Sequence, residues 1–439
     1  MIINDRGALF LTPGGSRAIK TIRTQQLALF NSKDSTMKVI YLITATLALI
    51  PLISGAPGKA RQSSVTTQLL VEQHGYPFEE HSVQTSDGYI LGLHRIPYSG
   101  RVESGSEERR PVVFLMHGLL CSSSDWVLLG PDNSLAFKLS DAGYDVWLGN
   151  ARGNTYSREH VKYNPLFKKF WSFDWHEIAM YDLPAMMDYV LYYTDEEQLT
   201  YFGHSQGTTT FLVLNSLNLR FNSRIKSAHL LAPVAFMENM EGPLVDMAAI
   251  LLGQPNIWPE LFGDMEFLPS TKAMELLGYT ACRDNSLLQD LCANVIFLIT
   301  GYDYENLNST ILPEIIATTP AGSSINQITH FLQEYNSGYF RQFDYGKLRN
   351  SLTYGSSQPP EYPLEDIDVP IFLYYSDNDY LSSVVDVHRL MRTLKETTMR
   401  RAYRVPHPKW NHLDHIWGMN IKEQLHDAIM EDLESMKDS

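Results

Sequence analysis

Cysteine is scarce in this chain, with only three among 439 residues. Cys121, Cys282 and Cys292 can form at most one disulfide bond between them. No cluster of cysteine and histidine has the spacing of a zinc site, so the sequence does not indicate a metal. We therefore expect a protein that works with neither a metal ion nor a cofactor.

Positive charge is also in short supply. The 35 Lys and Arg residues are outnumbered by 50 Asp and Glu residues, which gives a formal net charge of -15 at pH 7. A nucleic acid or an anionic membrane surface would repel such a chain, so neither is an expected partner. A neutral substrate is favoured instead. The composition does not predict an oligomeric state.

The most apolar stretch is too short for a membrane span, which needs about 20 residues. The run Val39–Ile53 follows Lys38 and precedes the small residues Ser54-Gly55-Ala56. This pattern is typical of a secretory signal peptide, here at 37–56, and a signal anchor is the alternative interpretation. Residues 1–36 precede the usual start of such a signal and form an extension of unclear status.

A signal peptide predicts entry into the secretory pathway, with the mature chain in the lysosome lumen or outside the cell and without a transmembrane segment. This compartment is oxidising, so Cys282 and Cys292, ten residues apart, can close a small loop. Asn308-Ser309-Thr310 is a sequon, and we expect glycosylation of Asn308 on a surface loop.

Strand-like and helical stretches alternate along most of the chain. Buried β-rich runs such as Pro111–Met116 and Tyr144–Leu148 follow one another with helical segments between them. Such alternation predicts a mostly parallel sheet with helices on both faces. The alternation breaks at 237–365, where proline-punctuated, methionine-rich helical pieces predict a cap between the sixth and seventh strands. The core would then comprise 57–236 and 366–439.

The segment Gly203–Gly207 has the pattern G-x-S-x-G. It follows the strand-like run Gln198–Phe202 and precedes a helix-like run that begins at Thr208. In this setting the turn is so tight that only glycine fits two residues to either side of the serine, and the hydroxyl is raised above the sheet. Ser205 is therefore the candidate nucleophile of an α/β-hydrolase fold.

A serine nucleophile needs a histidine base and a carboxylate that orients the base. In α/β-hydrolases the acid and then the histidine follow the serine along the chain. Asp377 and Asp379 come directly after the predicted seventh strand, and His407, His412 and His415 lie in the loop after the last strand. Spacing alone does not choose between the two aspartates or among the three histidines.

Two backbone N–H groups must also bind the negative oxygen of the tetrahedral intermediate. One belongs to the residue after the nucleophile, here Gln206. The other belongs to the loop after the third strand, His117-Gly118-Leu119-Leu120, in which Leu119 is the natural donor. His117 and His204 are interpreted as packed supports.

Further motifs occur in order from about Gly75 to Trp417: Gly75-Tyr76-Pro77, Thr85–Tyr89, Phe114–Leu120, Asn150–Thr155, Phe170–Phe173, Tyr181–Pro184, Gly203–Thr208, Pro320–Ser324, Asn378–Leu381 and Asn411–Trp417. This set resembles the acid lipase family, which contains gastric lipase and lysosomal acid lipase. The resemblance implies a serine carboxylic ester hydrolase that acts on neutral lipid esters, triacylglycerol or cholesteryl ester, at a lipid–water interface. It also implies an acidic pH optimum.

Carried over residue by residue, the resemblance makes Asp379 the acid and His412 the base for Ser205, and it makes Leu119 and Gln206 the oxyanion donors. It also implies the Cys282–Cys292 disulfide, in a loop one residue longer than the family's, with Thr300 in place of a further family cysteine. Two alternative functions are a secreted serine esterase for soluble esters and a lipase-like protein that binds or stores lipid without catalysis.

Overall fold

The computed structural model describes residues 65–101, 109–242 and 289–437. Parts of the segment between 243 and 288 are also described: residues 245, 249, 264–269, 276, 278–280, 282, 283 and 286. Residues 1–60 form a separate compact unit, in which the described strands Ile2–Ile3 and Leu9–Phe10 pair antiparallel. The predicted signal peptide at 37–56, and the rest of the 1–36 extension, lie outside the described residues.

The larger unit, from residue 61 onwards, is built on a mixed sheet of nine strands. Its eight main strands are β1 (Glu79–Gln84), β2 (Tyr89–Ile96), β3 (Val112–Met116), β4 (Asp145–Gly149), β5 (Leu199–His204), β6 (Ile225–Leu231), β7 (Ile371–Tyr375) and β8 (Met399–Arg404). They lie in the order β8-β7-β6-β5-β3-β4-β2-β1, and the two-residue strand Glu159–His160 pairs with the start of β2. The strands from β3 to β8 are parallel, while β2 runs antiparallel to β1 and β4. The predicted mostly parallel sheet is confirmed.

The burial of each strand follows from its place in the sheet. Every residue of β3, β4, β5 and β7 is buried, because helices cover both faces of a parallel sheet and the strand must be apolar on both sides. The edge strand β1 instead alternates between half-buried and exposed residues. β1 and β2 are joined by a tight turn in which Gly88 has φ +105°, a conformation that favours glycine.

One described α-helix precedes these strands, and the others lie between the strands and after them. They are α1 (Thr67–Glu72), α2 (Leu135–Asp141), α3 (Trp175–Glu177), α4 (Leu183–Thr194), α5 (Gln206–Leu217), α6 (Gln289–Thr300), α7 (Leu312–Thr318), α8 (Ile325–Ser337), α9 (Lys347–Tyr354), α10 (Val384–Thr393), α11 (Asp414–Trp417) and α12 (Asp427–Ser435). A π-helical turn, Ile178–Asp182, joins α3 to α4, and another, Lys422–His426, leads into α12. Single 3-10 turns occur at Ser123–Trp126, Lys168–Trp171, Leu219–Ser223, Ser309–Ile311 and Leu364–Asp366.

The sheet separates two hydrophobic clusters. Neighbouring residues of a strand point to opposite faces, so Phe114 of β3 packs in one cluster with Phe211 of α5. Val113 and Leu115 pack in the other cluster with Phe137 of α2. The helices therefore cover both faces of the sheet, as an α/β-hydrolase fold requires.

The chain between β6 and β7 is mainly helical where it is described. It contains α6, α7, α8 and α9, together with the paired two-residue strands Glu266–Phe267 and Ser323–Ser324. This agrees with a helical insertion between the sixth and seventh strands. The boundaries 57–236, 237–365 and 366–439 stay predictions.

Arg152, in the loop after β4, joins three parts of the core. Its guanidinium donates to the carboxylate of Asp87 at 2.6 Å and to that of Asp182 at 2.7 Å, and it lies 4.0 Å from the centre of the Tyr89 ring. The Arg152 side chain is 1% exposed and that of Asp182 is fully buried. The two carboxylates therefore have their charge compensated inside the protein rather than by water.

We predict that Arg152→Met strongly destabilises the fold, because it leaves the buried Asp182 carboxylate without its partner. The free energy of unfolding, measured by denaturant titration, should fall by about 3–5 kcal/mol. Arg220→Met is the matched control, since Arg220 pairs with Asp188 at 2.8 Å on the exposed surface and its loss should change stability little. Equal, small effects of both substitutions would contradict the structural role of Arg152.

Candidate active site

The turn between β5 and α5 carries Ser205. β5 ends at His204, α5 begins at Gln206, and Ser205 between them has φ 52° and ψ -119°. A positive φ is unfavourable for a residue with a side chain, and in this position it raises the serine Oγ above the end of the sheet. The Ser205 N–H donates to the carbonyl of Leu231 at the end of β6, at 3.1 Å.

Both glycines of the G-x-S-x-G motif are required by lack of space. A Cβ atom on Gly203 would lie 2.8 Å from the carbonyl carbon of Gly207. A Cβ atom on Gly207 would collide with the backbone carbonyl of Met116 in β3. The start of α5 therefore packs directly against the end of β3, which fixes the position of Ser205.

The structure brings Ser205, His412 and Asp379 together in a chain of hydrogen bonds. The Nε2 atom of His412 lies 2.7 Å from Ser205 Oγ, and its Nδ1 atom lies 2.9 Å from both carboxylate oxygens of Asp379. An ionised carboxylate only accepts hydrogen bonds, so Nδ1 carries the proton and Nε2 offers its lone pair to the serine hydroxyl. The geometry is that of a nucleophile beside its base.

Asp379 lies in the loop between β7 and α10. One of its oxygens accepts hydrogen bonds from the backbone N–H groups of Leu381 and Ser382, at 2.9 and 2.8 Å. Burial alone would raise the pKa of Asp379, but the electrostatic interaction with the His412 ring and the hydrogen bonds from His412 and the backbone outweigh it and hold the pKa below its usual value. Asp377, the other aspartate that spacing allowed, forms an ion pair with Arg404 at the surface.

Of the three histidines that spacing allowed, His412 is the one that bonds to both Ser205 and Asp379. His407 lies 3.7 Å from Asp303, away from the serine. His415 is buried and its Nδ1–H donates to the carbonyl of Asn411 at 3.2 Å. Burial lowers the pKa of His415 to about 4, so its ring is neutral.

The two sequence-predicted oxyanion donors lie on either side of Ser205. Gln206 begins α5, where the first backbone N–H groups have no partner within the helix. Gly118 packs against the serine so closely that a Cβ on it would lie 3.1 Å from Ser205 Cβ. Leu119 is the next residue. Among the described residues, neither the Leu119 nor the Gln206 N–H bonds to a backbone carbonyl.

Two buried histidines support this arrangement, as the sequence interpretation expected. The Nε2 atom of His117 accepts a hydrogen bond from the backbone N–H of Ala151 at 3.1 Å, and its Nδ1–H donates to Gly118. His204 donates through Nε2 to the backbone carbonyl of His412 at 3.0 Å. Burial lowers the pKa of His117 to about 4 and that of His204 well below its usual value, so both rings are neutral.

Sequence reasoning missed the residues that hold the loop around His412. Asn411 accepts hydrogen bonds from the N–H groups of Leu413 and Asp414, and its own N–H donates to the Asp414 carboxyl at 2.7 Å. The end of α6 supplies two more acceptors, since the Thr300 carbonyl binds the His412 N–H and the next carbonyl binds the Asn411 amide. The polar residues on both sides of His412 were the available signal.

Comparison with known proteins agrees with this architecture. Residues 111–419 match the family described as alpha/beta hydrolase fold, and residues 67–130 match the partial alpha/beta-hydrolase lipase region. The chain is 53% identical to Lipase 3 of Drosophila melanogaster over 365 residues, which cover 83% of this chain and 92% of that protein. It is 37% identical to the gastric triacylglycerol lipase of Homo sapiens over 399 residues, which cover 90% and 98% of the two chains. The chain belongs to the acid lipase family.

Solved structures place the acid lipase chain in the same fold. A putative lipase from Sulfolobus solfataricus superposes with a TM-score of 0.55 at 13% identity, over 87% of this chain and 98% of that one. A soluble variant of monoglyceride lipase from Saccharomyces cerevisiae superposes with a TM-score of 0.50 at 12% identity, over 87% and 99%. At such low identity the likeness supports the fold alone.

The remaining sequence predictions for this acid lipase concern its cysteines, glycosylation, metal binding and membrane spans. Cys282 and Cys292 form a disulfide with their Cα atoms 5.8 Å apart, while Cys121 is free and buried. Asn308 starts a 3-10 turn and accepts hydrogen bonds from Thr310, and its glycosylation stays a prediction. In the part of the chain that is described, no three acidic, cysteine or histidine side chains are grouped to hold a metal, and no helix is long and apolar enough to cross a membrane.

We predict that Asp379→Asn reduces kcat for ester hydrolysis by roughly 10³–10⁴-fold, because an amide cannot hold the His412 tautomer in which Nε2 is free to accept a proton. Asp377→Asn is the matched control: it removes an exposed ion pair with Arg404, and kcat should stay near that of the unchanged protein. Steady-state kinetics on a soluble nitrophenyl ester measure both. A large loss in the Asp377 variant alone would instead assign the acid to Asp377.

Proposed function

We propose that this acid lipase hydrolyses carboxylic esters of neutral lipids through an acyl-enzyme on Ser205. One observation carries the proposal: Ser205 Oγ lies 2.7 Å from His412 Nε2, and the opposite ring nitrogen lies 2.9 Å from Asp379. A serine hydroxyl with this partner is activated as a nucleophile. The retention of all three side chains argues against a protein that only binds or stores lipid.

In the proposed reaction His412 takes the proton of Ser205 as its oxygen attacks the ester carbonyl. The backbone N–H groups of Leu119 and Gln206 stabilise the negative oxygen of the tetrahedral intermediate, each contributing roughly 10²–10³-fold in rate. His412, now an imidazolium paired with Asp379, gives its proton to the departing alcohol. Water then attacks the acyl-enzyme by the same route and releases the fatty acid.

The proposed substrate class is triacylglycerol or cholesteryl ester. The human relative is named a triacylglycerol lipase, and the mammalian and insect relatives match nearly their whole length. A formal net charge of -15 also favours uncharged esters over anionic lipids. We further propose that the protein follows the secretory pathway to the lysosome lumen or the extracellular space and acts there at a lipid–water interface.

We predict that Ser205→Ala abolishes hydrolysis of emulsified tributyrin, because no other group in the proposed mechanism can form the acyl-enzyme. The variant should still fold, which its thermal transition checks, since the substitution removes one oxygen atom at a solvent-accessible turn. A fluorophosphonate probe should label the unchanged protein and not the variant.

Three results would contradict the proposal in different ways. Unchanged turnover by the Ser205 variant would remove this residue from the mechanism. Failure of the unchanged protein to react with the probe would favour a lipid-binding protein without catalysis. Turnover of a soluble nitrophenyl ester with none of tributyrin would favour a serine esterase for soluble substrates.

We predict that kcat/KM is retained at pH 5, because the groups that hold Ser205 and His412 in place keep their ionisation state at this pH. Asp379 stays ionised at this pH because its pKa is lowered, and the ionised form is lost only as pH falls through that lowered value. His204 and His415 stay neutral because burial lowers the pKa of both. A pH–rate profile with no activity near pH 5 would contradict action as an acid lipase.

A further inference from the structure

One stretch of the insertion between β6 and β7 contacts both sides of the oxyanion site. It runs from residue 319 to residue 327 and is called the 319–327 segment below. It contains the Pro320–Ser324 motif, which the proposed reaction does not use, and the first turn of α8. One of its contacts is to the loop after β3 and another is to the residue that follows the nucleophile.

The first contact holds the loop that carries Leu119. The backbone N–H of Ala321 donates to the carbonyl of Leu120 at 2.6 Å. Leu120 has φ +63°, which is unfavourable for a leucine and persists only where surrounding contacts impose it. The hydroxyl of Thr319 adds a hydrogen bond to Asp125 at 3.0 Å, just beyond the same loop. The 319–327 segment therefore fixes the backbone directly after Leu119.

The second contact holds Gln206 through its side chain. The Gln206 Nε2 atom donates to Gln327 Oε1 at 2.7 Å, and both residues are 2% exposed. The other polar atom of the side chain, Gln206 Oε1, has no partner among the described residues. The bond to Gln327 is thus the one polar restraint on the Gln206 side chain in this part of the structure, and it comes from α8.

We propose that Gln327 is a positioning residue for the oxyanion site. Through its hydrogen bond to the Gln206 side chain, Gln327 of α8 holds the backbone N–H of Gln206 where it can donate to the negative oxygen of the tetrahedral intermediate. The inference rests on the proposed function, since it concerns the same reaction. Oxyanion donors act at 2.7–3.1 Å from the oxygen they stabilise, so a small displacement of Gln206 removes much of their effect. Substrate binding in the ground state does not depend on this distance.

The test is Gln327→Met, which keeps the length of the side chain and removes the acceptor, together with the weaker bond from Gln327 Nε2 to Ser324 Oγ at 3.4 Å. We expect kcat for a soluble nitrophenyl ester to fall by roughly 10- to 100-fold while KM stays nearly constant. The rate at which a phosphonate ester inactivates the protein should fall by the same factor, because its phosphoryl oxygen occupies the oxyanion site. A role in stability alone would change the thermal transition without this matched loss.

The same bond can be removed from its other end. Gln206→Met leaves the backbone N–H in place, and we expect the same fall in kcat and in phosphonate reactivity. The double variant should be no slower than either single variant, because residues that act through one bond are not additive. If Gln327→Met does not fold, Gln206→Met alone decides: full activity in that variant overturns the proposal.

Gln333→Met is the matched control. Gln333 is also a buried glutamine of α8, and its side chain bonds to the backbone of Asp344 at 2.9 and 2.8 Å. The Gln333→Met substitution should alter the stability of the protein but neither kcat nor the rate of its reaction with the phosphonate. Wild-type kinetics in a folded Gln327→Met, or additive losses in the double variant, overturn the inference. These results would not affect the proposed function. The proposed function fails on a different result, namely that the fluorophosphonate probe does not label Ser205 in the unchanged protein.

Discussion

The strained turn at Ser205 is the constraint on which the rest of the site depends. A positive φ at a residue with a side chain costs on the order of 1–3 kcal/mol and must be imposed by its surroundings. Here the parallel pairing of β3 with β5 imposes it, since Met116 and Gly203 are register partners and Gly207 packs on the Met116 carbonyl. The end of β3 also brings Gly118 against Ser205. One close approach of the backbone therefore places both Ser205 and the loop that contains Leu119.

The helical insertion is hydrogen-bonded to residues of the candidate site. The end of α6 accepts the backbone N–H of His412 and the side-chain amide of Asn411. The start of α8 holds the side chain of Gln206. Both helices lie between β6 and β7, more than 80 residues from the groups they hold. Any movement of the insertion relative to the sheet would thus act on His412 and Gln206, to which the proposed reaction gives the roles of base and oxyanion donor.

The fold and the nucleophile could be predicted from the sequence because their signals are local. Alternating strand-like and helical stretches indicated the parallel sheet. The G-x-S-x-G motif between strand and helix indicated Ser205 as the candidate nucleophile. Spacing could not separate Asp377 from Asp379, because the difference is tertiary: one pairs with Arg404 at the surface and the other is buried beside His412. The family resemblance made that choice.

Other parts of the site left no pattern in the sequence. Gln327 is a polar residue on a helix, and nothing near it in the chain indicates a partner 121 residues earlier. The methionines also show what composition cannot predict. Met237 and Met240 belong to the methionine-rich stretch that predicted the cap, but they are buried in the same hydrophobic cluster as Phe114. A residue type that suits a lipid site also suits a core, and burial alone distinguishes the two uses.

Three histidine rings near Ser205 and His412 are neutral. The His117 ring must be neutral to accept the N–H of Ala151, and burial holds the rings of His204 and His415 neutral as well. His412 differs because a carboxylate faces its Nδ1 atom at 2.9 Å.

In the proposed reaction, the charge that develops on His412 is compensated by Asp379, whose own charge is stabilised by two backbone N–H groups. In an acidic compartment the neighbouring histidines add no positive charge to this pair. The hydrogen bonds that His117, His204 and His415 make to the neighbouring loops then persist at a pH where an exposed histidine would already be protonated. The neutral histidines around His412 are compatible with the proposed action in acid, whereas the contact between His412 and Ser205 is one that a serine hydrolase needs at any pH.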